Sequence, residues 1–238
     1  MKKQVIILFG PPGAGKGTQA ELLSDKLNLY YFETSKILEQ EFQEAETMPS
    51  DAKKRFITIA GEKYDVLKEY EVWKAGLLCS PPFVSYLVKK KIKELAGAGK
   101  NLVIAGSPRT LPEGKEVMPL LAELYGKENI KIILIEISPG QTLFRNTHRR
   151  ICELMRHPIL YNKETEKIKF CPLDGSRLIR RKGLDNPENI KVRLKEYKER
   201  TLPLFEYFQQ EGFIVREING EQSVADVFKD ILKALENA

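Results

Sequence analysis

No stretch of the 238-residue chain approaches the ~18 consecutive apolar residues that a membrane span requires. Cysteine is scarce: Cys79, Cys152 and Cys171 are three in number and widely spaced, which argues against a disulfide framework. There is no internal repeat and no low-complexity linker. Acidic residues fall short of basic ones, 33 against 39, leaving a net charge of +6. Such an excess suits either a nucleic-acid partner or a polyphosphate site. The cations are spread along the chain, and there is no interleaved aromatic platform of the kind that stacks bases, so nucleic acid is not the expected partner. The apolar run Val5–Phe9 behind two lysines is too short for a signal peptide and leads directly into a functional loop. The expectation is a cytoplasmic chain without a membrane partner.

What is present is alternation. Residues 4–9, 29–32, 101–106, 131–138 and 212–220 read as five buried strands. Residues 18–27, 82–98, 112–125, 139–150, 187–211 and 223–236 read as helices between them, several opening on a proline whose missing N–H is no loss in a first turn. Strands alternating with helices predict an α/β fold, a parallel sheet covered by helices on both faces. Two regions break the pattern. Residues 36–76 are charged and show helical patches without a strand, as for two helices and an extra turn. Residues 149–185 alternate and turn like small strands joined by loops. Both read as insertions at the carboxyl ends of the strands, where such sheets bind ligands.

The first strand runs into "GPPGAGKGTQA", residues 10–20. Gly10, Gly13 and Gly15 let a loop turn its N–H groups onto phosphate oxygens, the following helix points its positive end there, and Lys16 adds a mobile charge. A phosphate-binding loop usually places Ser or Thr directly after the lysine; here Gly17 intervenes and the hydroxyl comes at Thr18. That late threonine resembles the loop of the adenylate kinase family of nucleoside monophosphate kinases. Three further stretches, in order, carry the same resemblance. They are "GLLCSPPFVSYLV" (76–88), "IAGSPRT" (104–110) beside the family's Asp-Gly-Phe-Pro-Arg-Thr, and "RNTHRR" (145–150) with "RRKGLDNPENIKVRLKEYKERTLPLFEYF" (180–208).

The resemblance implies a P-loop fold with a five-stranded parallel core (residues 1–33, 77–148 and 186–238), a helical monophosphate-binding insert (34–76) and a small lid (149–185). It implies phosphoryl transfer from ATP, with Mg²⁺, to a nucleoside monophosphate, AMP by default, in a monomer. ATP would meet Gly13, Ala14, Gly15, Lys16, Gly17, Thr18, Arg145 and Arg149. The monophosphate would meet Thr34, Leu77, Leu78, Cys79, Gly106, Arg109, Glu113, Arg193 and Lys182, with Arg181 an alternative to Lys182 in the "RRKG" run. Lys16, Arg109, Arg149, Arg193 and Lys182 would carry the transfer, which needs two phosphates held in line, charge neutralised and water excluded. In the lid the family often places four zinc-binding residues. Here Cys152 and Cys171 remain, Met155 breaks the set, and His157 and Asp174 stand where they could complete it for a structural Zn²⁺.

The chain also departs from the family. Ala105 replaces the aspartate that orders magnesium's waters. Glu39 stands in place of an arginine that grips the acceptor phosphate, so Lys36 or a basic residue of "AKKRF" (52–56) would have to take over. Glu113 replaces a glutamine that reads adenine; as a pure acceptor it suits a base edge rich in donors, such as guanine. Ser107 replaces a phenylalanine, and the insert is long. The alternatives to an ordinary kinase are a changed acceptor base, or a nucleotide-binding protein with weak or lost transfer.

Overall fold

The computed structural model describes residues 3–47, 55–180 and 185–236. In chain order β1 (Val5–Phe9) leads to α1 (Lys16–Leu27), β2 (Tyr30–Glu33) and α2 (Thr34–Glu46). A hairpin of β3 (Phe56–Ile59) and β4 (Glu62–Asp65) precedes α3 (Val66–Lys74) and α4 (Pro81–Gly97). Then come β5 (Leu102–Ala105), α5 (Leu111–Tyr125), β6 (Ile130–Glu136) and α6 (Pro139–His148). Three short strands, β7 (Arg150–Cys152), β8 (Pro158–Ile159) and β9 (Leu178–Ile179), lead to α7 (Pro187–Glu196), α8 (Pro203–Gln210), β10 (Val215–Asn219) and α9 (Val224–Glu236).

The five long-range strands form one parallel sheet in the order β10-β6-β1-β5-β2. Because side chains alternate across a strand, β1 feeds two cores at once. Val5, Ile7 and Phe9 pack with Phe83, Leu87, Met118 and Phe208 on one side. Ile6 and Leu8 pack with Ala20, Leu23, Val227 and Ile231 on the other. This is the predicted fold class, helices on both faces of a parallel sheet. All five strands end at the same edge, with Phe9, Glu33, Ala105, Glu136 and Asn219 as their last residues. Among the described residues no helix is long and apolar enough to cross a membrane.

Two elements differ from the sequence reading. Residues 36–76 do contain strands: β3 and β4 pair antiparallel, with Ile59 opposite Glu62 across Ala60 and Gly61 at φ 50° and 86°. Two consecutive positive φ values are the geometry of a tight hairpin turn whose twist matches that of its strands. The signal was in "FITIAG", a β-branched run closed by glycine, and the surrounding charge concealed it. The single helix expected over 187–211 is interrupted by a π-helical turn, Tyr197–Thr201. Pro203 has no N–H to give and its ring crowds the carbonyl four residues back, so the helix widens ahead of it.

Candidate active site

The loop after β1 is shaped by what surrounds it. A Cβ on Gly10 would lie 2.3 Å from the Ile135 carbonyl oxygen, and one on Gly13 would lie 2.6 Å from the Asn146 amide nitrogen; both residues have positive φ. Helix α1 starts at Lys16 without any side-chain cap on its first turn, so its leading N–H groups face the cleft as an anion site. The Lys16 ammonium donates to the carbonyls of Gly10 at 2.7 Å and Pro11 at 3.0 Å. Burial first, then the charges of Arg109 and Arg193, pull its pKa from the ordinary lysine range down to about 7.

Around the loop opens a cleft of about 840 Å³, bordered by the strand ends, the 34–76 region and the 149–185 region. Residues 13–18, Arg109, Arg145, Arg149 and Arg193 all line it, with Leu77, Leu78 and Gly106. Arg149, Arg145 and Arg109 are each held by neighbours. Arg149 makes a two-pronged pair with the buried Asp185, at 2.6 and 3.3 Å, and donates to the Asn146 side-chain oxygen at 2.8 Å. Asn146 is itself fixed by donating to the Thr142 carbonyl. Arg145 donates to the Gly220 carbonyl at 2.8 Å and the Gly13 carbonyl at 3.4 Å, joining α6 to the loop. The Arg109 carbonyl accepts from the Thr201 hydroxyl at 2.8 Å, a bond made from the π-turn. Lys182, and Arg181 as its alternative, lie outside the described residues.

A smaller cavity opens beside Arg109. Thr34, Leu77, Leu78, Cys79, Gly106, Arg109 and Glu113, each expected on the monophosphate side, line it together with Leu38, Trp73 and Val84. The Leu78 N–H donates to Glu196, and the Leu78 carbonyl accepts from Arg200, which pairs with the same Glu196. Cys79 is buried, its thiol facing the Glu69 carbonyl and its pKa pushed up to about 12 by burial. Glu113 has a job that the sequence reading missed. Its carboxylate accepts from the Arg109 N–H at 2.9 Å and the Thr110 hydroxyl at 3.0 Å, while Thr110 caps α5. Thr-x-x-Glu is the capping-box sequence, a signal present in "TLPE" itself, and here the carboxylate reaches back to the N–H one residue before the cap.

The positions that the sequence reading set apart also have neighbours. Glu39 lines the cleft and pairs at 3.5 Å with Arg156, carried on the turn after β7. Lys36 pairs with Glu33 at 3.1 Å, and Arg55 with Asp65 at 3.3 Å; the other lysines of "AKKRF" lie outside the described residues. Ala105 brings no carboxylate to the end of β5. Its register partner on β2, however, is Glu33, which lines the same cleft and accepts from the Ser35 hydroxyl. Ser107 is buried with no hydrogen-bond partner for its hydroxyl among the described residues.

Beyond β7, Cys152, His157, Cys171 and Asp174 come together, with their ligand atoms all within 4.8 Å of one another. Cys152 Sγ lies 3.5 Å from His157 Nδ1, which lies 3.7 Å from Cys171 Sγ and 3.3 Å from the Asp174 carboxylate. These are about the edge lengths of a tetrahedron whose centre sits 2.0–2.3 Å from each donor. The His157 N–H donates to Cys152 Sγ at 3.0 Å, an outer bond that suits a thiolate ligand. Met155 is exposed and outside the group.

Residues 8–213 match the family model described as adenylate kinase. A protein of Caldicellulosiruptor saccharolyticus named adenylate kinase is 30% identical over 232 residues, covering 97% of this chain and 98% of that protein. One of Oceanobacillus iheyensis with the same name is 30% identical over 233 residues, covering 97% and 98%. One of Methanothrix thermoacetophila, also so named, is 31% identical over 232 residues, covering 97% of each.

A polyanion bound at the loop will raise the Lys16 pKa from about 7, because its negative charge favours the ammonium. At pH 8, where the unbound amine is mostly neutral, binding of ATP is expected to take up a proton. At pH 6, where it is already charged, this uptake should vanish. Titration calorimetry in two buffers of different ionisation enthalpy reads this directly, and Lys16→Met should abolish the uptake at pH 8.

Proposed function

The chain belongs to the adenylate kinase family, and on that premise we propose how its own residues move a phosphoryl group from ATP to AMP. An oxygen of the AMP phosphate attacks the γ-phosphorus of ATP. The bond from that phosphorus to the β,γ-bridging oxygen breaks, and two ADP leave. What carries the reading is the convergence of Lys16, Arg109, Arg145, Arg149 and Arg193 on a single cleft at the carboxyl edge of the sheet.

In this scheme the loop N–H groups, Lys16 and Thr18 hold the donor phosphates, and Lys16 follows the phosphoryl group as it transfers. Arg145 and Arg149 reach the donor phosphates from the lid side, with Asp185 and Asn146 fixing the Arg149 fork. Arg109 holds the acceptor phosphate, Arg193 spans both, and Lys182 serves as the further cation. Residues 34–76 act as the acceptor-binding insert and residues 149–185 as the lid, closing on substrates to exclude water. Magnesium, when bound with ATP, neutralises charge on the β- and γ-phosphates. Ala105 cannot order its water shell, and we assign that task to Glu33, the carboxylate in register one strand away. The four lid donors fit a structural zinc, with two thiols, an imidazole and a carboxylate at tetrahedral spacing. All three cysteines are unpaired, which suits a reducing compartment, and we take the protein to be a cytoplasmic monomer.

The deciding experiment is ADP formation from ATP, AMP and Mg²⁺. Turnover is expected, and Arg109→Ala should lower kcat/KM by about 10³-fold or more. A protein that binds ATP yet forms no ADP would sink the kinase reading. Glu33→Gln should raise the Mg²⁺ concentration for half-maximal rate about tenfold, in line with the loss of an outer-shell partner; an unchanged requirement removes Glu33 from that role. For the lid, one equivalent of zinc per purified chain is expected. Cys171→Ser should lose the metal and lower the Tm, because structural zinc contributes folding free energy directly.

A further inference from the structure

An ion pair links residues 34–76 to residues 149–185. Glu39 of α2 and Arg156 of the turn after β7 both line the cleft, 3.5 Å apart. The backbone at Arg156 is unusual. Its φ is 59°, in the left-handed region that glycine enters freely and a residue with a Cβ enters at a cost. Three bonds close the turn around it. The Arg156 N–H donates to the Cys152 carbonyl at 3.1 Å, the Cys152 N–H to the His157 carbonyl at 3.1 Å, and the His157 N–H to Cys152 Sγ at 3.0 Å. A position whose backbone suits glycine carries a long cation instead. Such an outlier points to a use for the side chain.

The surroundings show what that use is. Among the described residues 150–180, Arg156 is the only cation that lines the cleft, and its neighbours on that wall are Met155, Pro158, Ile159 and Leu160. An apolar wall lowers the local dielectric and strengthens the pull of a charge on an anion. The side chain is 54% exposed, so a ligand in the cleft can reach it. A guanidinium has five N–H donors in a planar fork, and one carboxylate contact at 3.5 Å leaves room for a second anion. The side of the cleft is also set. Arg145 and Arg149, on and after α6, are tied to Gly13, Gly220 and Asp185. Arg156 reaches instead toward α2, whose Thr34 and Leu38 border the small cavity with Arg109. Lys36 on the same helix is drawn to Glu33 at 3.1 Å.

We propose that Arg156 grips the phosphate of the acceptor from the lid side, aimed by Glu39, so that residues 149–185 serve acceptor binding as well as donor binding. The proposal rests on the reading of the cleft as a site of transfer to AMP. A fork can hold a carboxylate on one edge and a phosphate on the other, which a single ammonium does less well.

The left-handed turn supplies a variant that separates fold from function. Arg156→Gly relieves the backbone, so its Tm is expected at or above that of wild type. Its KM for AMP should rise about tenfold or more, the usual effect of losing a charged hydrogen bond, while KM for ATP stays within about twofold. Arg156→Lys and Arg156→Gln keep a long side chain on the same backbone and differ in charge; the lysine should recover part of the loss and the glutamine none. The proposal is overturned if Arg156→Gly keeps the wild-type KM for AMP, if KM for ATP rises as much as KM for AMP, or if the lysine and glutamine variants behave alike. Should the glycine variant fail to fold, the lysine and glutamine pair decides. Should wild-type protein form no ADP from ATP and AMP, the kinase reading fails separately. Titration calorimetry with AMP alone then decides, and binding that is absent from wild type, or equal in wild type and Arg156→Gln, overturns the role of Arg156.

Discussion

Like charges held together in a partly dry cleft are the constraint on which the rest of this structure depends. Burial first, and then the charges of Arg109 and Arg193, bring the Lys16 pKa down to about 7. Holding such a set in place requires acceptors that do not cancel it. The fold supplies them mostly as backbone carbonyls: Gly10 and Pro11 for Lys16, Gly13 and Gly220 for Arg145. One full countercharge is placed where geometry matters most, the buried Asp185 behind the Arg149 fork. A two-pronged guanidinium–carboxylate pair fixes direction as well as distance.

The same constraint explains why helix interruptions and caps matter so far from the reacting groups. Pro203 forces a wider turn at Tyr197–Thr201, and that turn places the Thr201 hydroxyl on the Arg109 carbonyl. Glu196 and Arg200, one turn apart, hold the backbone of Leu78 at the wall of the small cavity beside Arg109. Thr110 caps α5, and the Glu113 carboxylate holds both the Thr110 hydroxyl and the Arg109 N–H. None of these residues needs to touch a phosphate; each positions one that lines the cleft.

The two halves of the cleft are unlike. One side carries the loop glycines, Lys16 and Thr18, with Arg145 and Arg149 on the same cleft. Residues 34–76 bring a hairpin, a tryptophan at the cavity wall, and Glu39 paired with Arg156 of the turn after β7. The strand-end position at Ala105 carries no carboxylate, and its neighbour in register is Glu33.

The sequence by itself determined the alternation of strands and helices, hence the doubly covered parallel sheet, because buried strands and amphipathic helices write their periods into the chain. It also determined the phosphate loop, since only glycines at those spacings let a backbone close on an anion. Motif order placed Arg109, Arg145, Arg149 and Arg193 on candidate elements before any coordinates. What only the tertiary structure decided were relations between residues distant in sequence. The register that sets Glu33 beside Ala105, the gathering of His157 and Asp174 with two cysteines, the pairing of Glu39 with Arg156 and the place of Trp73 at the cavity wall all depend on how separate segments pack. A one-dimensional period records which way a side chain faces along its own element. It carries no record of what stands opposite.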